Sequence, residues 1–422
     1  MKVAVVGAGP GGALLAWHLG RDGADVTVFD ASHPREKPCG GGVTARALDL
    51  LPPAPADDAL PARLVATARF ESQMGHGVEV PLTRPVAVAS RRELDAWILR
   101  RAVAAGARHL AERVAEVDGT GHVRTTAGIA RAFDVVVGAD GAGSLMRRTL
   151  LAPTPKERLM MAAGWFARGT APMAVRFVTD LSGYLWLFPR PDHVGVGICA
   201  PLAAVPTKKM LDRLEREVAV SFPAMIEDDA PRYAHTIPSP SADPRSILEV
   251  AGARWALIGD AAAFADPITG EGIFFALRSA TVLAQTLRES GSAAGYPARA
   301  LEDFGRELNK AAALRDRFYS PGLARRMIAY ARRSRAIRGV LADLVLGEQG
   351  YLSLKRRLLR SGPRFLLETA ASKLFPAVAF PFHAEAAEGT QRPQRTETNE
   401  QPLRAERDSL PRSERGVWGV RR

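Results

Sequence analysis

Residues 2–30 read KVAVVGAGPGGALLAWHLGRDGADVTVFD, and the class of fold follows from them. A short valine-rich run with strand character leads into a glycine cluster, an apolar helical run follows, and DVTVF repeats the strand pattern. Gly7 permits a tight turn after the first strand, Gly9 lets backbone approach a pyrophosphate, and Gly12 allows the helix to pack closely, with Gly11 in the same loop. The start of the helix offers free amides to phosphate. Asp30, about 20 residues on at the end of the second strand, is placed to accept from a ribose hydroxyl. Spaced glycines alone are weak evidence, but strand, glycines, helix and acid in this order point to a bound dinucleotide.

The rest of the chain bounds what such a site serves. With 422 residues, 47% of them hydrophobic, the chain can bury a real core in one large or two ordinary domains. Its two cysteines, Cys39 and Cys199, are too few for a disulfide framework or a zinc site and suit a reducing compartment. The histidines, among them His18, His193 and His235, form no metal-ligand spacing and read as surface or packing residues, so no metal is expected. No Gly-x-Ser-x-Gly nucleophile motif is visible. The start, MKVAVVGAGP, enters a strand without the layout of a signal peptide, and no apolar run approaches about 18 residues, the length of a membrane span. A cytoplasmic protein is expected.

The formal net charge of +12 is local. Lys310 to Arg364 carries 14 basic and 3 acidic residues, and the remainder is close to neutral. Within that stretch GLARRMIAYARRSRAIRGVLADLVLG interleaves Leu323, Met327, Ile328, Ala331, Ile337, Val340, Leu341 and Leu344 with arginines. Two readings stand: a basic amphipathic face lying peripherally on an anionic membrane, or a solvated helix face packed on the main body. No nucleic acid is expected, because no recognition motif accompanies the charge.

Along the chain, residues 1–150 and 251–300 read as one discontinuous α/β unit of dinucleotide-binding type, with residues 60–85 contributing to a substrate side. The strand and helix of residues 84–110 and the buried strand DVVVGAD belong to the same unit. Between 151 and 250 the pattern turns to alternation in AVRFV, YLWLF and VGVGI, as expected of a half-exposed antiparallel sheet, which makes this an inserted substrate domain. Residues 301–383 form a basic helical region. The tail, 384–422, is polar and poor in aliphatics and is expected to be disordered.

Further motifs decide which dinucleotide is bound. LIGDAAAFADPITGEGIFFAL, residues 257–277, resembles the second FAD motif of the flavoprotein hydroxylase-like superfamily. In that superfamily an aspartate after a strand contacts the ribityl chain, and a glycine-rich helix start lies by the ring. Gly259, Asp260, Pro267, Gly270, Gly272 and Ile273 are the cofactor-binding positions the resemblance implies. A helix beginning near Gly270 to Gly272 also brings positive dipole and free amides to where reduced flavin is negative. DVVVGADGAGSLMRR, residues 134–148, is similar to the middle motif, with Asp140 in place. SRRELDAWIL, residues 90–99, resembles the Arg-x-x-Phe-Asp element and implies that Arg91 neutralises cofactor phosphate.

Within that superfamily, EKPCGGGVTARAL, residues 36–48, carries Lys-x-Cys-Gly-Gly-Gly and looks like the signature of the geranylgeranyl reductase family. A second family element, Pro-x-x-Tyr-x-Trp-x-Phe-Pro, corresponds to LSGYLWLFP, residues 181–189, with Leu181 where the family has proline. Alternation independently puts Tyr184, Trp186 and Phe188 on one face of a strand, an aromatic wall suited to a long apolar chain. The fold expected is thus an α/β, Rossmann-like FAD-binding domain of the flavoprotein hydroxylase type with an inserted antiparallel sheet and a helical C-terminal part. The resemblance implies reduction of isolated double bonds in a prenyl chain of a lipid, quinone or pigment precursor. Such a reduction takes a hydride, from N5 of reduced flavin, and a proton for the other carbon.

Glycines 40 to 42 let backbone come close to the flavin edge, which makes Gly40 and Gly41 cofactor-binding positions together with Lys37. Cys39 is the candidate proton donor or relay, its thiol made more acidic by Lys37; the alternative is a small buried hydrophobe. Tyr184 is the second candidate donor, and Cys199 reads as core. No second dinucleotide fingerprint is present, so electrons come from transiently bound NAD(P)H or a reduced carrier protein. A flavin monooxygenase or halogenase competes on the same scaffold, although the halogenase-like Trp-x-Trp-x-Ile-Pro is absent. A membrane-attached electron-transfer flavoprotein is the non-enzymatic alternative.

Overall fold

A computed structural model describes residues 1–72, 77–227 and 229–374. The expected disordered tail, 384–422, and the end of the basic region lie outside the described residues. Within Met1–Phe375, which make one unit, two sheets face a common cavity. The first is wholly parallel, in the order Trp255–Leu257, Val135–Gly138, Lys2–Val6, Asp25–Phe29, Arg108–Leu110. Its central strands are valine-rich because both of their faces are covered, so no polar alternation survives. Helices Pro10–Arg21 and Ile273–Ser290 pack on one another and bury Leu14, Leu15, Leu277 and Leu283 against the sheet. Helix Arg91–Ala104 starts at Ser90, whose hydroxyl accepts from the Arg92 amide at 3.1 Å.

The second sheet has eight strands, in the order Tyr233–Pro238, Leu159–Arg168, His193–Pro201, Gly183–Pro189, Ala174–Val178, Ala62–Glu71, Gly77–Ala89, Gly42–Val43. All of its pairings are antiparallel except that of Ala174–Val178 with Ala62–Glu71. The inserted sheet is therefore real, and residues 60–85 contribute to it as expected, but it reaches further into the first 150 residues than the sequence reading had it. Three of its strands come from residues 42–89, and the strand ending at Ala89 belongs here and not to the parallel unit. The join is made by backbone pairing of Arg69, Phe70 and Glu71 with Ala174, Val175 and Arg176, a contact across a hundred residues that local pattern does not encode. A small antiparallel sheet of Val114–Val117, His122–Thr125 and Ala130–Ala132 was not anticipated.

The turn in front of Gly183–Pro189, where Leu181 replaces proline, is a short 3-10 turn over Thr179–Leu181 closed by Ser182 in the left-handed region, φ 49°. Beyond Arg306–Phe318, helices Pro321–Arg333 and Arg335–Val345 lie on the eight-stranded sheet. Ile328, Ala331, Leu341 and Leu344 are buried there with Phe70, Val86, Val88, Val175 and Phe177. This favours the packed-face reading of that stretch: most of its apolar stripe is core, and Arg326, Arg332, Arg333 and Arg335 are exposed. No helix among the described residues is long and apolar enough to cross a membrane.

Candidate active site

One cavity runs from the glycine turn of the parallel sheet to the eight-stranded sheet and ends under the C-terminal helices. At its dinucleotide end Gly9, Gly11 and Gly12 form the wall. Helix Pro10–Arg21 begins there with no side-chain cap, so its first amides are left for a ligand. Gly7, at φ +105°, makes the turn, and Gly12 packs so closely on the Gly7 carbonyl that a side chain would collide. Gly7 is thus a shaping residue and not a wall residue. Asp30 and Asp140 also lie behind the wall. Asp30 Oδ2 accepts from the Ala8 amide at 2.9 Å and Oδ1 from the Ser32 hydroxyl at 2.6 Å and amide at 2.8 Å; burial works against this carboxylate, but these bonds and Arg35 hold its pKa below the usual range. Asp140 Oδ2 accepts from the Leu145 amide at 2.7 Å, its Oδ1 is buried without a partner, and burial raises its pKa.

Asp140 Oδ1 and Arg35 Nη1 are buried without a hydrogen bond, Arg35 Nη1 standing 3.8 Å from Asp30 Oδ2, and Gly9 faces open space. Uncapped amides, a guanidinium nitrogen with no hydrogen bond and a carboxylate oxygen with none suit the phosphates and hydroxyls of FAD. Arg35 lies in this wall, and only its nearness to Asp30 in sequence hinted at it.

At the middle of the cavity the expected charges are present with different partners. Lys37 Nζ donates to Asp260 Oδ2 at 2.8 Å, so its direct partner is Asp260. Burial pushes the Asp260 carboxyl up, but the charge and hydrogen bond of Lys37, with His235 and Arg91 nearby, together hold it below the usual value. Arg91 gives Nε and Nη2 to Asp95 at 2.8 Å each, which leaves Nη1 as its remaining nitrogen for a cofactor. Asp95 thus orients Arg91 and matches part of its charge, with Nη1 left for the cofactor phosphate that the resemblance implies. Helix Ile273–Ser290 starts from Gly272 without a side-chain cap, as the sequence suggested, and Gly259, Gly270, Gly272 and Ile273 line the cavity. Pro267 is buried in the preceding loop and does not face it. The loop also carries Glu271, bonded to Thr44 Oγ1 at 2.7 Å and to Arg46; burial still raises its pKa.

The Cys39 loop joins the two halves. The Gly41 amide donates to Cys39 Sγ at 3.3 Å, and Arg190 Nη2 donates to the Cys39 carbonyl at 2.8 Å. Arg190, fully buried, also gives Nη1 to Glu36 at 2.9 Å and stacks over Phe166. Side chains on Gly40 or Gly42 would strike the Phe188 ring, and one on Gly41, at φ +84°, would strike the Ala89 carbonyl. The glycines are bare chiefly because Phe188 and Ala89 press on them, which refines the expectation of a close flavin approach.

Tyr184, Trp186 and Phe188 all line the cavity, as the alternation implied. Tyr184 donates its hydroxyl to the Thr269 carbonyl at 2.6 Å, and burial pushes its pKa far up, so the phenol keeps its proton. Cys199, opposite it on the neighbouring strand, is buried and pushed up to about 12 by burial, as a core residue should be. His235 departs from its reading as a plain packing residue, since it stands in the cavity wall. The far end, made by Met173, Val175, Phe177, Phe318, Val345 and Leu346, is apolar and draws on the C-terminal helices. Sequence reasoning did not find this end, because it is assembled from segments far apart in the chain.

Comparison with known proteins agrees with this geometry. Residues 1–235 match the model of the FAD binding domain family. The menaquinone reductase of Mycolicibacterium smegmatis is 31% identical over 322 residues, covering 68% of this chain and 76% of that protein. The chloroplastic geranylgeranyl diphosphate reductase of Oryza sativa is 30% identical over 355 residues, 76% of this chain and 72% of that protein. Among solved structures, a geranylgeranyl bacteriochlorophyll reductase-like protein from Thermoplasma acidophilum superposes with a TM-score of 0.69 over 88% of this chain and 98% of its own, at 18% identity.

Proposed function

Because this chain belongs to the FAD binding domain family and, within it, to the geranylgeranyl reductases, as an FAD-dependent oxidoreductase, we propose that it saturates isolated C=C bonds of a prenyl chain. The observation that carries the reading is the meeting of Cys39, the three glycines and the Tyr184, Trp186, Phe188 wall around one cavity that opens onto the dinucleotide turn. Bound and reduced, FAD supplies a hydride to one alkene carbon, and NAD(P)H or a reduced carrier protein restores the two electrons. The chain's own residues do the rest. The apolar end excludes water and aligns the chain, Phe188 and the glycines fix the height of the Cys39 loop, and Arg190 pins its carbonyl. Cys39 delivers the proton to the second carbon, with the Gly41 amide holding the sulfur in place. Tyr184, committed to the Thr269 carbonyl, is the less suited donor. Lipid-like substrates fit a peripheral membrane contact through the basic C-terminal helices, in which Lys355, Arg356 and Arg360 are exposed.

The test is anaerobic. The purified flavoprotein is reduced with dithionite and mixed with geranylgeranyl lipids and prenylquinones while flavin reoxidation and product mass are followed. Reoxidation coupled to a gain of two hydrogens is expected. A flavin that stays reduced until oxygen enters, and then yields an oxygenated product, would place the protein among the monooxygenases.

A further inference from the structure

The prenyl end of the cavity is apolar, yet it holds buried polar atoms with nothing to bond. Tyr184 and Tyr319 both face this end and both have donated their hydroxyls, to the Thr269 and Ile268 carbonyls. Trp186 has not: the residue is 5% exposed and its indole Nε1 is without a partner. His235 Nε2, in the part of the same wall that borders Lys37 and Asp260, is likewise buried and without a partner. Strand register puts both on one face of the sheet. His235 pairs with Ala162, Ala162 with Cys199 and Cys199 with Tyr184, and Trp186 stands two residues beyond Tyr184. Gly197, opposite Trp186, lets the indole lie across the sheet, where a side chain would run into the ring.

Charge in the same wall is already spent. Its cations are Arg35, Lys37 and Arg91; Lys37 and Arg91 pair with Asp260 and Asp95, and Arg35 stands beside Asp30 at the dinucleotide end. Burial first, and then the Lys37 cation, lower the His235 imidazole to about 4, so it is uncharged near neutral pH. A multiply charged diphosphate entering the prenyl end would find no unmatched cation to offset its desolvation. An uncharged oxygen would instead satisfy a donor that is otherwise wasted.

We infer that Trp186 Nε1 and His235 Nε2 form a polar subsite for an uncharged oxygen of the substrate, a carbonyl or hydroxyl, so that the enzyme prefers prenyl compounds with a neutral oxygen group over prenyl diphosphates. The inference rests on the prenyl reading of the cavity.

The experiment titrates the oxidised holoenzyme with geranylgeraniol, a geranylgeranyl benzoquinone, geranylgeranyl diphosphate and the saturated hydrocarbon phytane, reading dissociation constants from the flavin absorbance shift. The neutral oxygenated probes should bind about tenfold or more tightly than the diphosphate. Trp186→Phe, which keeps a ring and loses the N–H, should weaken geranylgeraniol about fivefold and leave phytane unchanged. Diphosphate binding as tight as or tighter than that of the alcohol and quinone overturns the inference, as does a Trp186→Phe variant that weakens alcohol and hydrocarbon alike. The comparison of probes on the parent enzyme decides the matter even if the variant loses its flavin. Failure of the prenyl reading looks different: no probe shifts the flavin spectrum and none reoxidises the dithionite-reduced enzyme, and the inference falls with it.

Discussion

Cys39 and His235 show what single residues decide here. The Cys39 sulfur is fixed by one amide and its carbonyl by one buried arginine, so Cys39→Ala should keep its flavin and its melting temperature while slowing single-turnover alkene reduction about 100-fold. An unchanged rate would remove the thiol from the chemistry. His235 tests the electrostatics of the wall. Its native pKa, about 4, lies below the ordinary 6.5, so the unfolded chain takes up a proton that the native state refuses. The sign follows: this term is absent above pH 6.5 and costs stability as pH falls from there towards 4, by about 1 kcal/mol per pH unit. Denaturant curves of His235→Gln should therefore lose less stability than the parent between those pH values, and parallel losses would count against a buried neutral imidazole. Residue identity was legible where chemistry is local, as with Gly9, Gly12 and Asp260. Partner choice was not, because Lys37 sits two residues from Cys39 in sequence and pairs across 223 residues with Asp260.

Elements explain why the cysteine-glycine motif and the aromatic motif occur together. The loop at 40 to 42 is shaped by strand Gly183–Pro189, whose Phe188 fills the space that side chains on Gly40 and Gly42 would need. Gly41 combines φ +84° with a blocking Ala89 carbonyl, whereas Gly23, at φ +78°, has open space around it. Gly41→Ala should cost about 3 kcal/mol and Gly23→Ala about 1, measured by urea unfolding of the two variants. Equal costs would mean that backbone conformation alone, without packing, accounts for the glycine. Strand and helix identities were readable from alternation and from the start at Gly272. That residues 60–85 serve the substrate side was readable too, but the parallel pairing of Ala62–Glu71 with Ala174–Val178 was not, since pairing across a hundred residues leaves no local periodicity.

At the scale of the whole molecule, charge and apolar surface separate. Helices Pro321–Arg333 and Arg335–Val345 spend their leucines and isoleucines on the core, so the stretch that looked most like a membrane face in the sequence is a roof over the cavity. Its apolar stripe was legible, and its destination was not, because burial against Val86 and Val88 depends on the assembled sheet. The next helix, Tyr351–Leu374, is different. Leu352 and Leu359 are 55% and 69% exposed, and Lys355 and Arg356 fall between them on the same face at helical spacing. Exposed leucines flanked by cations are what an anionic lipid surface binds, by apolar insertion and by about 1 kcal/mol per basic residue. The enzyme should therefore sediment with vesicles rich in anionic lipid and not with neutral ones, and salt at about 0.5 M should release most of it by screening. Leu352→Asn combined with Leu359→Asn should weaken the binding about tenfold with flavin content unchanged, because both side chains are already outside the core. Binding indifferent to the double substitution would move the contact to another face, and no binding to anionic vesicles would leave the substrate to reach the cavity from solution.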